Sequence, residues 1–304
     1  MFLLGIAILL VSAEYLVKIS SLLWSVLKIS PLIVGSTMVA ISTIMPELAV
    51  AVVAILRGDQ GLARGNIIGS NIVNIFLVFA TGILLGNINI GISKTQKNGL
   101  IMVLATILYI WLNSAFSGKS LGLILIAMAV LFSFSEILMG VEGRRYEDKA
   151  FIRNKNGRFK PAMIIKIIGV VIGIVVGGMM VVYSVEKISL FSGYSTTVLG
   201  LSLTAISTSL PEWLTVIFSR KKDQKKVATG DVLGSNIYNL LLLGGIIYFF
   251  SGSKPVSGSE LYFLILSAVC GAVLVFGYAG KKIPRKIGLG LLFLFLVYVL
   301  SLRN

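Results

Sequence analysis

The 304-residue sequence has no histidine and one cysteine, Cys270. A single thiol excludes an internal disulfide. The absence of imidazole argues against a zinc site and against a histidine proton relay. Charge is also scarce. Asp, Glu, Lys and Arg make up 13% of the residues, where a soluble domain carries about a quarter. Polar sequence long enough for a large soluble or recognition domain is missing, which argues against a receptor or scaffold. With thiol and imidazole chemistry set aside, carboxylates, amides, hydroxyls and backbone carbonyls remain.

What is abundant is apolar sequence, 57% of the chain. A membrane-spanning helix needs about 20 mostly apolar residues. The chain divides into spans near 1–26, 31–57, 63–86, 95–114, 118–139, 161–189, 195–219, 227–250, 258–278 and 284–302. The expected fold is therefore an all-α integral membrane protein with ten transmembrane helices. The first span lacks a basic leader and a small-residue cleavage motif, so it reads as a retained helix.

The net charge of +15 does not point to nucleic acid, because the basic residues cluster between apolar spans. Seven lie between Arg144 and Lys160. Others are Lys28, Lys94, Lys97, the group Arg220 to Lys226, and the group Lys281 to Lys286. The alternate connectors carry only Arg57, Arg64, Lys119, Lys254 and Arg303. By the positive-inside bias, both termini lie outside and connector 140–160 is cytoplasmic, in a multi-pass protein of the cell membrane. That connector separates a first five-helix repeat, 1–139, from a second, 161–304. An odd number of helices per half gives the halves opposite orientations, an arrangement found in secondary transporters.

The halves also match residue by residue. Gly35–Glu47, GSTMVAISTIMPE, corresponds to Gly200–Glu212, GLSLTAISTSLPE. Gly65–Asn74, GNIIGSNIVN, corresponds to Gly230–Asn239, GDVLGSNIYN. The offset is 165 throughout. The shared residues are mostly polar, Gly or Pro, so biased composition does not explain them, and an internal duplication does.

Glu47 and Glu212 fall inside apolar spans, where a carboxylate is costly and marks function. Pro46 and Pro211 precede them and remove backbone donors, freeing the Ser42 and Ser207 carbonyls. Broken helices at membrane depth line cavities or lie buried in protein. Thr43 and Glu47 lie four residues apart, as do Thr208 and Glu212, Ser70 and Asn74, and Ser235 and Asn239, so each pair shares a helix face. Asn71 and Asn236 point elsewhere and read as helix–helix hydrogen bonds. The glycines at 65, 69, 230 and 234 read as points of close helix approach. Two carboxylates with amide, hydroxyl and carbonyl oxygens suit Ca²⁺, a hard ion taking six to eight oxygens. An empty site with two buried charges resists crossing the membrane, so the carrier must return with Na⁺ or protons. Glu14 with Lys18 reads as an i, i+4 pair. Glu136 and Glu186 read as interfacial.

At these motifs the sequence resembles the calcium/cation antiporter superfamily, in its sodium/calcium exchanger branch, whose hallmark is a pair of alpha-repeats, here within 35–81 and 200–246. The resemblance implies exchange of Ca²⁺ for Na⁺ by alternating access, with no cofactor, no enzymatic activity and no obligate protein partner. It implies ion sites built from Thr43, Glu47, Ser70, Asn74, Thr208, Ser209, Glu212, Ser235 and Asn239, with the backbone carbonyls of Ala40 and Ala205. It also implies that helices 1–26 and 161–189 slide over a fixed core. Three positions depart from the family pattern. Ile44 replaces a ligating serine, Asn239 is acidic in some relatives, and Asp231 stands where asparagine is usual. Asp231, near an expected helix start, reads as a cap. These departures leave the stoichiometry open, and the alternatives are a proton-coupled divalent-cation antiporter and, from another class, a cation channel, since a passive pore would also want polar residues at mid-membrane.

Overall fold

The computed structural model describes residues 1–26, 43–91, 94–116, 118–143, 162–219, 222–251 and 259–302. Among these residues the protein is all helical. The helices are α1 (Phe2–Val26), α2 (Met45–Leu56), α3 (Gln60–Leu85), α4 (Lys94–Ala115), α5 (Gly118–Gly143), α6 (Ala162–Ser192), α7 (Thr196–Phe218), α8 (222–251), α9 (Ser259–Gly277) and α10 (Arg285–Ser301). Seven of them, α3 to α9, are long and apolar enough to cross a membrane. The expected span 31–57 is described only from residue 43 onward, and connector 140–160 lies largely outside the described residues.

Two helices form the centre. The spanning windows of α3 and α8 are 83% buried within the protein, against 28% for α5 and 33% for α6. Helix α6 is apolar on every side, and its outer face, with Ile165, Ile168, Ile172 and Phe191, is exposed. A helix of that kind faces lipid on its outer side. It packs its inner side on α1 and α2. A Cβ on Gly177 would sit 2.9 Å from the Gly5 carbonyl oxygen, so the α1 and α6 backbones are nearly in contact.

The N-termini of α3 and α7 are capped and tied to each other. Asp59 Oδ1 accepts from the Leu62 N–H at 2.9 Å and from the Thr196 hydroxyl at 2.9 Å. Ser195 Oγ accepts from the Val198 N–H. Side-chain oxygens at this position satisfy amides the helix cannot. Below the caps the two helices touch through glycine. A Cβ on Gly69 would lie 2.5 Å from the Leu201 carbonyl oxygen and 2.7 Å from Ala205 Cβ. One on Gly65 would lie 2.5 Å from the Thr197 carbonyl oxygen. The packing role expected of Gly65 and Gly69 is thus visible as a close approach of α3 and α7, whereas Gly230, of which the same was expected, has nothing within 4 Å of where a Cβ would lie.

Most boundaries fall within a few residues of the apolar spans. The exception is the start of α8. Helix α8 begins at Lys222 rather than near 227, because KDQKK is polar but helix-favouring. Hydropathy marks where a helix turns apolar, not where it starts.

Candidate functional site

Helices α2 and α7 carry the two glutamates in the same local geometry. The backbone leaves the helical conformation at Ile44 (φ −82°, ψ 2°) and at Ser209 (φ −79°, ψ 9°), and a new helix starts one residue later. These positions are 165 apart. Pro46 and Pro211 fall in the first turn of each new helix, where a missing N–H costs nothing. Glu47 and Glu212 follow in the same first turn, at the positive end of the helix dipole. The prolines therefore do more than kink a helix: each begins a second one whose N-terminus presents a carboxylate.

Helices α3 and α8 supply matching irregularities. Asn74 begins a π-turn, Asn74–Phe79, and Asn239 begins another, Asn239–Leu243. Helix α7 contains a third, Gly200–Thr204. Such insertions loosen the regular hydrogen-bond ladder and recur at functional sites. The Leu201 carbonyl in the third accepts from the Tyr298 hydroxyl of α10 at 2.7 Å.

Glu47, Ser70, Asn74, Thr208, Glu212, Ser235 and Asn239 are 0% exposed, and Ser209 is 1% exposed. The hydroxyls of Thr208, Ser70 and Ser209 lie beside the Glu47 carboxylate, and Ser235 lies beside Glu212. The two glutamates lie within electrostatic reach of one another. Yet both oxygens of Glu47, both of Glu212, Asn74 Oδ1, Asn239 Oδ1 and Nδ2, and Ser209 Oγ have no hydrogen-bond partner. Buried polar atoms are almost always satisfied. A whole group left open, most of it oxygen, is what a cation would complete. Ser209 shows this well. It precedes Glu212 in a capping-box pattern, Ser-x-x-Glu, but its hydroxyl makes no cap.

Other polar side chains hold the frame. Asn74 Nδ2 donates to Asn236 Oδ1 at 2.9 Å, while the Asn74 Oδ1 has no partner. Asn236 Nδ2 donates to the Asn71 carbonyl oxygen at 3.3 Å, the helix–helix bond expected of it. Asn71 instead bonds its own helix, at the Ile67 carbonyl. The Ala205 carbonyl accepts from the Ser209 N–H at 3.1 Å and lies 3.4 Å from the Thr208 hydroxyl. Ala40 lies outside the described residues. Thr43 is half-buried and lines a cleft of about 440 Å³ between α1 and α7, with Glu14, Pro211 and Thr215.

Two residues belong to this region that the sequence reading did not place there. Asp231 is not a cap. It lies well inside α8, is 6% exposed, and accepts from the Thr43 hydroxyl at 3.3 Å, while its Oδ2 has no partner. The misplaced start of α8 caused that error. Asn66, fully buried, accepts from the Thr208 hydroxyl at 3.1 Å. The spacing 66, 70, 74 and 231, 235, 239 continues the stripe of Ser and Asn by one turn and could have revealed both. Glu136, near the end of its span, is 5% exposed. Glu186 is partly exposed and forms a bidentate pair with Arg57, both bonds 2.7 Å.

The profile of the family described as "Sodium/calcium exchanger protein" matches residues 1–139 and 163–302. The sodium/calcium exchanger MaX1 of Methanosarcina acetivorans is 28% identical, covering 99% of this chain and 97% of its own length. The inner membrane protein YrbG of Escherichia coli is 28% identical over 80% of this chain and 76% of its own. Among solved structures, the sodium–calcium exchanger NCX_Mj soaked with Na⁺ and Sr²⁺ superposes with a TM-score of 0.66 at 26% identity, covering 100% of this chain and 97% of that one.

Proposed function

This chain belongs to the sodium/calcium exchanger protein family, and from that premise we propose that it exchanges Ca²⁺ for Na⁺ across a membrane by alternating access. The observation that carries this reading is the open, fully buried set of Glu47, Glu212, Asn74, Asn239 and Ser209 oxygens. Two carboxylates among neutral oxygens match the ligand preference of Ca²⁺. The same oxygens suit Na⁺, and two carboxylates can be neutralised by either cargo.

In the proposed assignment, Glu47 and Glu212 hold Ca²⁺ with Thr43 and Thr208. Asn74 and Asn239 complete the centre, and Ser70, Ser209 and Ser235 with the Ala205 and Ala40 carbonyls serve Na⁺. Residues 1–139 and 161–304 are read as inverted five-helix repeats, ten crossings in all. The duplicated motifs and the gap in the family match at 140–162 support this. Both termini are placed outside and connector 140–160 in the cytoplasm, on the basis of loop charge. Helices α1 and α6 are read as one sliding unit. Their close packing supports this, as does the cleft that meets Thr43 beside α1. An empty or half-filled site leaves buried charge uncompensated, which opposes the slide and couples the two fluxes.

The test is radioactive Ca²⁺ uptake into proteoliposomes loaded with Na⁺ and diluted into choline at fixed pH. Uptake is expected only with internal Na⁺. Uptake driven instead by a pH gradient would assign proton coupling, and uptake that needs no counter-ion would assign a channel.

A further inference from the structure

The duplication supplies an internal comparison, because each residue of one half has a counterpart 165 positions away. At one corner of the site, Thr208 Oγ1 donates to Asn66 Oδ1 at 3.1 Å and lies 3.4 Å from Ser70 Oγ, with the open Ser209 hydroxyl beside it. At the counterpart corner, Thr43 Oγ1 donates to Asp231 Oδ1 at 3.3 Å and lies 3.2 Å from Ser235 Oγ. The geometry is repeated, but the chemistry is not. Ser209 corresponds to Ile44, a buried side chain with no oxygen to offer. Asn66 corresponds to Asp231. One corner has thus lost a hydroxyl and, across the same threonine, gained a carboxylate.

We infer that Asp231, with Thr43 and Ser235, forms a Na⁺ site in which the carboxylate supplies the oxygen that Ile44 lacks. This rests on the reading of the protein as a Na⁺/Ca²⁺ exchanger. Asp231 is more than nine-tenths buried, and its Oδ2 has no hydrogen-bond partner. A buried carboxylate oxygen without a donor is costly unless a cation completes it. Among the described residues no three carboxylate, thiol or imidazole groups gather around one point. Asp231 lies within electrostatic reach of Glu212 and bonds Thr43, which makes it the acid of a position adjoining the Glu47–Glu212 ion. One carboxylate and two hydroxyls suit a monovalent ion, whereas Ca²⁺ sites draw on more oxygens and more charge. Ions can reach the corner, because Thr43 lines the cleft between α1 and α7. Across the two adjoining positions there are then three carboxylates, Glu47, Glu212 and Asp231. Three Na⁺ neutralise them, whereas a single Ca²⁺ leaves one negative charge over.

The experiment compares Na⁺-dependent Ca²⁺ uptake in wild type, Asp231→Asn, Ile44→Ser and the double variant, each titrated with Na⁺. Asp231→Asn is expected to raise the half-activating Na⁺ concentration by about tenfold, the loss of roughly one charge-assisted contact, and to lower the Hill coefficient. Adding Ile44→Ser to it recreates the neutral corner of the other half and recovers much of the lost Na⁺ affinity. A merely structural Asp231 would not be rescued in this way. Ile44→Ser alone, with hydroxyl and carboxylate both present, gives the lowest half-activating concentration. If Asp231→Asn does not purify as a monodisperse protein, the double variant against Ile44→Ser reads the same contribution. Equal Na⁺ dependence with and without Asp231 overturns the Na⁺ site but leaves the exchanger reading standing. Wild-type uptake that ignores Na⁺ overturns both.

Discussion

Glu47→Gln removes one negative charge from a side chain that is 0% exposed, while its shape is almost kept. Both carboxylate oxygens of Glu47 lack a hydrogen-bond partner, and glutamine keeps the neighbouring Thr208, Ser70 and Ser209 hydroxyls. What is lost is half of the charge that Glu47 and Glu212 present to the ion. Removing one partner of a buried ion pair costs about 3–5 kcal/mol. At 1.4 kcal/mol per factor of ten, Ca²⁺ binding should weaken by roughly two to four orders of magnitude. The ion-free protein should respond in the opposite sense, since an uncompensated buried charge has been deleted. It should be at least as heat-stable as wild type. Thermal unfolding of the purified protein with and without Ca²⁺, alongside proteoliposome uptake, reads both effects. The expected result is an unchanged or raised melting temperature without Ca²⁺, no further rise on adding it, and no uptake. A glutamate bonded into the fold would instead destabilise the ion-free protein when replaced. That outcome, or a Ca²⁺ affinity within tenfold of wild type, would refute the assignment.

Ser209→Ala deletes a hydroxyl that bonds nothing in the protein, so stability should hold while the half-activating Na⁺ concentration in uptake rises. Gly69→Ala places a Cβ 2.5 Å from the Leu201 carbonyl oxygen. It should cost about 1–3 kcal/mol, lower the melting temperature, and reduce transport by separating Ser70 from Thr208. Glu186→Gln breaks the bidentate bond to Arg57 that joins the end of α2 to α6. An exposed pair is worth up to about 1 kcal/mol, so folding should barely change. If α6 slides past α2, the turnover rate should change by up to about fivefold at constant Ca²⁺ affinity, which initial-rate uptake against Ca²⁺ concentration can separate.

The sequence alone determined that the chain is a helical membrane protein with two related halves. It also determined that Glu47 and Glu212, each behind a proline and a threonine, are the residues to watch. These conclusions rest on local properties: apolar length, the missing proline donor, helical spacing, and a repeat dense in polar residues that drift would not preserve. The packing of Gly65 and Gly69 was legible too, but their counterpart Gly230 meets no neighbour, so which glycines mark a close approach was decided by the fold. What tertiary structure decided is which polar atoms are satisfied. Ser209 stands in a Ser-x-x-Glu pattern that would suit a helix cap, yet in the fold its hydroxyl makes no cap. Asn71 and Asn236 look alike in sequence, yet only Asn236 reaches across to the other central helix. Asp231 changes most, from a cap to an acid facing Thr43, because the polar run from Lys222 continues the helix. A hydrogen bond between residues 188 apart leaves no periodic trace in the chain. Burial and satisfaction are properties of neighbours, and the neighbours of Asp231 come from a helix of the other half.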